Sequence, residues 1–132
     1  MREPLIITIE KGMDAGKVFR ITPMAARPGH RWASRVIFAL MNAGVEIPEN
    51  IADAGMAAIA VIGIKALGKV PFEVAEPLLD ELLDQVSIIP DPSKPEIVRK
   101  WIDEDFEEAG TIFRLQKESL MVNIDFFMSA VR

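Results

Sequence analysis

Hydrophobic and polar positions first alternate with a period of two. Leu5-Ile6-Ile7-Thr8-Ile9-Glu10 and Lys17-Val18-Phe19-Arg20-Ile21-Thr22 are two β-rich runs flanking a glycine-bearing loop, Lys11 to Gly16. This pattern predicts an antiparallel hairpin over about residues 5–22. In the second run Phe19 and Ile21 alternate with Val18, Arg20 and Thr22, so those two should face a core. An isolated hairpin is marginal in water and has to dock on other elements.

The period then lengthens. Pro23 and Pro28 punctuate the exit from the hairpin. From His30 to Ala43 the apolar residues Trp32, Val36, Ile37, Leu40 and Met41 recur at helical spacing, with Gly44 as a stop, which predicts a helix over 30–43. Arg27, Arg31 and Arg35 stand four apart on another face, either a solvated stripe or a contact surface for an acidic partner. An Ala- and Gly-rich run predicts a second helix over 51–67, whose small residues suit a central position with close neighbours. A third is expected over 72–86, with Ala75, Leu78, Leu79, Leu82, Leu83 and Val86 on one side; Pro77 inside it predicts a kink or a restart. Ser87 to Pro95 carries three prolines and reads as a loop. The stretch 96–102 fits either a helical turn or a third strand added to the hairpin, and we favour a strand over about 97–102. Asp105-Phe106-Glu107-Glu108 has the spacing of a capping box. It would open a last helix over about 106–129, with Phe106, Ala109, Ile112, Phe113, Leu120, Ile124, Phe127 and Met128 on one side. The expected fold is α+β, mostly α: an N-terminal hairpin packed on a bundle of about four helices, in a single domain over residues 1–132.

Composition narrows the chemistry. The chain has 132 residues, half of them hydrophobic, enough to build a core. It has no cysteine and one histidine, His30, which excludes a disulfide scaffold, a thiol nucleophile and a multi-histidine metal site. A net charge of −5 argues against nucleic acid as a partner. Residues 1–70 carry a net +3 and residues 71–132 a net −8. That asymmetry suits either solvated helix faces or head-to-tail self-association. The longest apolar stretch, Ala54 to Leu67, is shorter than the roughly 20 residues of a membrane-crossing helix, and the N-terminus lacks a signal-peptide pattern. No membrane partner and a cytoplasmic location are therefore expected. Lys11 to Lys17 departs from a phosphate-binding loop, because three residues, not four, separate Gly12 from Gly16 and Val18 follows Lys17. The serines lie outside any nucleophile-elbow motif. The acids at 103–108 are accounted for by a helix N-terminus, and Arg99 is placed to pair with one of them. No catalytic residue, cofactor or metal is expected. Met121, Val122, Phe126 and Val131 make the end of the last helix apolar nearly all round, as in a helix that docks on a partner or another copy, or one wrapped into its own core.

Taken in order, several segments resemble the tail assembly chaperones of long-tailed bacteriophages. They are Lys17-Val18-Phe19-Arg20-Ile21-Thr22-Pro23-Met24, Arg31-Trp32-Ala33-x-Arg35, Gly44-Val45-Glu46-Ile47-Pro48, Gly55-Met56-Ala57-Ala58, Ala75-Glu76-Pro77-Leu78-Leu79-Asp80-Glu81-Leu82 and Asp105-Phe106-Glu107-Glu108. The resemblance runs from Lys17 to Phe127. It departs at Asn123, where such proteins often have histidine, and near Val86-Ser87, where they often have cysteine. It implies a non-structural protein of the host cytoplasm, absent from the mature virion. Such a protein binds the tape measure protein, keeps it soluble and helps recruit tail tube protein, commonly through a longer frameshift product. On that reading Trp32, Phe113, Phe126 and Phe127 would be core or contact anchors and Arg27, Arg31 and Arg35 their rim. Two rivals are a structural tail completion or connector protein of the virion and a small hydrolase using His30.

Overall fold

The computed structural model describes residues 3–44 and 68–131, with side chains as far as Asn123. Its order is β1 (Leu5–Thr8), β2 (Val18–Ile21), α1 (Ala26–Asn42), α2 (Phe72–Leu83), β3 (Val86–Ile89), β4 (Arg99–Lys100), a 3-10 turn (Asp103–Asp105) and α3 (Ala109–Val131). The class is α+β, with a four-stranded antiparallel sheet in the order β1-β2-β3-β4. The helix expected over 51–67 lies outside the described residues. The chain forms two compact units, residues 1–23 with 81–122, and residues 24–80 with 123–132.

The first unit is built on the sheet. Leu5 pairs with Ile21 and Ile21 with Val86, while Ile7 pairs with Phe19 and Phe19 with Ile88. Because alternate residues share a face, this register stacks the apolar side chains in rows. Phe19 and Ile21 are fully buried, as their alternation predicts, and Leu83, Val86, Ile88 and Leu115 close the core around them. Phe106 stacks on Phe19 at 5.8 Å and meets Trp101 at 5.5 Å, and the Trp101 indole N–H donates to the Leu83 carbonyl at 3.0 Å.

Three expectations are corrected in this unit. Residues 86–89 belong to neither a helix end nor a loop: they form β3, the partner of β2. Val86 falls in helical register with Leu82 and Leu83, but Val-Ser-Ile-Ile before Pro90 is a β-branched run that pairs better than it coils. The strand near 97–102 exists as only two residues, Arg99 and Lys100, and it pairs with β3 and not with the hairpin. Asp105 does not open the long helix, which begins at Ala109. Its carboxylate turns back to accept the Ile102 N–H at 2.7 Å and takes Arg99 in a two-pronged pair at 2.7 and 2.9 Å. The Arg99 guanidinium holds the Asp105 carboxyl below the usual carboxylate range despite its burial.

The second unit carries α1 and most of α2. α1 begins at Ala26 rather than at His30, with Pro28 inside its first turn. A proline is tolerated there because the first-turn N–H groups have no helical acceptor. α2 runs unbroken through Pro77 and ends at Leu83, three residues short of the expected end and without a restart. Its first N–H groups find the Pro71 carbonyl, at 3.0 Å from both Val74 and Ala75.

Candidate binding surface

The spacing of α1 builds a surface directly. At 100° per residue, Arg27, Arg31, Phe38 and Met41 fall within about 80° of one another around the axis, and all four are exposed. Arg35 flanks them and is exposed as well, as is His30. The opposite side holds Trp32, only 6% exposed, whose indole N–H donates to the Leu78 carbonyl of α2 at 3.0 Å. α1 therefore seats its tryptophan on α2 and turns outward a strip that is basic in its first half and apolar in its second. Phe38 is 63% exposed, Met41 55% and Ile37 44%. α2 also leaves apolar side chains outside, Phe72 at 64% and Val74 at 44%.

The residues expected to act together separate into two kinds. Trp32 is core, with its one polar group satisfied. Phe113, placed by its spacing on the inner stripe of the last helix, is 69% exposed. The inner stripe of α3 is instead Thr111, Leu115, Ser119 and Asn123, one turn apart and all buried. Ile112 and Leu120 flank it half-buried. Phe126 and Phe127 lie in α3 beyond the residues whose side chains are described.

That polar stripe binds distant parts of the chain. The hairpin loop turns at Gly12 and Gly16, whose φ values of +88° and +93° suit glycine alone, and this carries Asp14 inward until it is fully buried. Its carboxylate accepts from Lys17 Nζ at 2.7 Å, from the Glu107 N–H at 2.9 Å and from the Thr111 hydroxyl at 2.5 Å. Burial pushes the Asp14 carboxyl up. The hydrogen bonds from Lys17, Thr111 and Glu107, with the Lys17 charge, outweigh that and hold it at about 2. Lys17 also donates to the Asp105 carbonyl at 2.7 Å. The network locks the hairpin loop onto the start of α3, where the helix dipole favours an anion. In the second unit Asn123 does similar work, its Oδ1 accepting the Met24 N–H at 2.9 Å. Asp14, Thr111 and Asn123 are the polar residues that sequence reasoning missed. The one available signal was Thr111, Ser119 and Asn123 in step with Leu115.

The Asp14 carboxylate thus has all its donors within the chain. Beside them an open pocket of about 250 Å³ is lined by Ile9, Glu10, Lys11, Glu108, Gly110, Thr111 and Arg114. It mixes both signs of charge, and its only hydroxyl is the one already donated to Asp14. Among the described residues, no group of three or more His, Asp or Glu side chains is placed to hold a metal ion, and no helix is long and apolar enough to cross a membrane. Comparison with family models, with curated proteins and with solved structures returned no match.

Proposed function

We infer that the chain is a non-catalytic tail assembly chaperone of a long-tailed phage, acting in the host cytoplasm and absent from the finished particle. It binds the tape measure protein, keeps it soluble, and helps bring in tail tube protein through a longer product of the same gene. One observation carries this reading beyond the resemblance. Large apolar side chains stand outside on three helices, while the first unit's core is filled without them. Phe113 on α3, Phe38 and Met41 on α1 and Phe72 on α2 are each more than half exposed. Side chains of that kind are the usual anchors of a binding surface.

The physical logic is that of a multivalent sleeve. A long helical protein presents apolar faces that would aggregate, and covering each gains about 25 cal/mol per Å² of apolar area. A single Phe113-sized contact is weak. Many copies along one long chain bind tightly in sum. Phe113 is assigned to the tape measure contact.

The experiment is co-expression of this chain with the tape measure protein of the same phage, read by solubility and co-purification. A tape measure that becomes soluble only with this chain, and elutes with many copies of it, supports the reading. A tape measure that stays insoluble both with this chain and with its longer product refutes it. Detection of the chain in purified particles would favour a completion or connector protein instead.

A further inference from the structure

The outer faces of α1 and α2 are complementary in both charge and apolarity, in opposite chain directions. Along α1 the order is Arg27, Arg31, Arg35, then Phe38 and Met41. Along α2 it is Phe72, then Glu73, Glu76 and Asp80, with Asp84 in the turn that follows; all of these are exposed. The basic residues repeat every four positions, and so do Glu76, Asp80 and Asp84. Phe72, Glu73, Glu76 and Asp80 fall within about 100° around the α2 axis. Arg31 and Phe38 stand about 10 Å apart along α1, and Asp80 and Phe72 about 12 Å apart along α2. Laid antiparallel, Arg31 meets Asp80 as Phe38 meets Phe72.

Within one chain, α1 meets α2 through another side. The Trp32–Leu78 hydrogen bond seats the inner side of α1 on α2, and the complementary strips lie on the sides turned away from it. We propose that α1 of one copy packs antiparallel on the outer face of α2 of a second copy, so that the chain associates with itself through this helix pair. The contact joins two different patches, so it either closes reciprocally in a dimer or continues from copy to copy. The proposal does not depend on the tape measure reading, since it concerns the purified chain alone.

Sedimentation velocity of the chain at rising concentration tests it, at about 50 mM and about 500 mM salt. Association is expected at the lower salt and weakening at the higher, because exposed charges are screened. Arg27→Glu with Arg31→Glu, and separately Glu76→Arg with Asp80→Arg, should each raise the dissociation constant about tenfold or more. Mixing the two double variants one to one should restore assembly, because the reversed α1 of one then matches the reversed α2 of the other. Phe38→Ser should weaken association at both salt concentrations, and circular dichroism checks that each variant keeps its fold. A wild-type chain that stays monomeric at 200 µM in about 50 mM salt overturns the proposal. So do reversed variants that assemble like the wild type, or a mixture that fails to recover. A chain that is monomeric alone but held to the tape measure through Arg27 and Arg31 would reassign the face to that partner.

Discussion

Replacing Asp14 tests whether the buried polar network holds the first unit together. The carboxylate is fully buried and receives three donors. Lys17 is partly exposed and keeps its bond to the Asp105 carbonyl, so losing that pair costs under about 1 kcal/mol. The Glu107 N–H and the Thr111 hydroxyl lose a charged acceptor in a buried site, at about 1.5–3 kcal/mol each before relaxation. Removing the desolvated charge offsets part of this. Asp14→Ala should therefore destabilise by about 3 kcal/mol, a large share of a typical domain's 5–15. Urea unfolding followed by Trp101 fluorescence, in a Trp32→Phe background so that one indole reports, is the measurement.

Acidification reads the same site independently. The folded carboxyl titrates at about 2 against an ordinary 3.8, so folding favours the ionised form. The contribution is fully present above about pH 4 and is lost as pH falls through about 2, amounting to about 2 kcal/mol. Asp14→Asn should lose that part of the pH dependence. Both substitutions staying within about 0.5 kcal/mol of wild type, or a slope between pH 4 and 2 that Asp14→Asn leaves as steep as in the wild type, would refute the account; Asp105, also held low, keeps its own share of that slope in both chains.

Further outcomes follow from the same geometry. Phe113→Ser should change stability by less than about 0.5 kcal/mol, because the ring is exposed, while lowering the amount of tape measure protein kept soluble; thermal unfolding and co-expression read the two effects separately. Trp32→Phe should cost about 1 kcal/mol for the hydrogen bond to Leu78, and Trp32→Ala about 3–5 kcal/mol once the cavity is included, both read by chemical denaturation. Asn123→Ala leaves the buried Met24 N–H without its acceptor and should cost about 1–3 kcal/mol, with faster amide exchange at Met24 as the local signature.

How much of this was legible in the sequence depends on how local each signal is. The hairpin was readable because Phe19 and Ile21 alternate over several residues and two glycines mark the turn. β3 was hidden because Val86 continues the helical step from Leu79, Leu82 and Leu83, and four residues cannot tell the two periods apart. The start of α1 was hidden by Pro28, a helix breaker everywhere except in the first turn. Asp14 and Asn123 were out of reach altogether. Their partners lie 97 and 99 residues away, and a polar residue on a helix face reads as exposed until its acceptor is known. That one misreading also rotated the expected inner face of α3, which placed Phe113 inside when it is outside.

The corrected rotation of α3 changes what the aromatic residues are for. Phe19, Phe106, Trp32 and Trp101 sit inside or half-inside, and both indole N–H groups reach backbone carbonyls. Phe38, Phe72 and Phe113 sit outside. The two sets also differ in what holds them. The inner set rests on the sheet register and on α1 seated against α2, and the buried acceptors Asp14 and Asn123 fix the hairpin loop and the entry to α1 at positions where an apolar side chain would leave N–H groups unmatched. Polar contacts of that kind specify one arrangement more sharply than apolar packing alone. Position therefore does not require the outer phenylalanines, and they remain available for other molecules. A chain folded only for its own stability would gain solubility from serine at 38, 72 or 113 at little cost. On the reading proposed above, the three exposed phenylalanines are the side chains that a partner would cover.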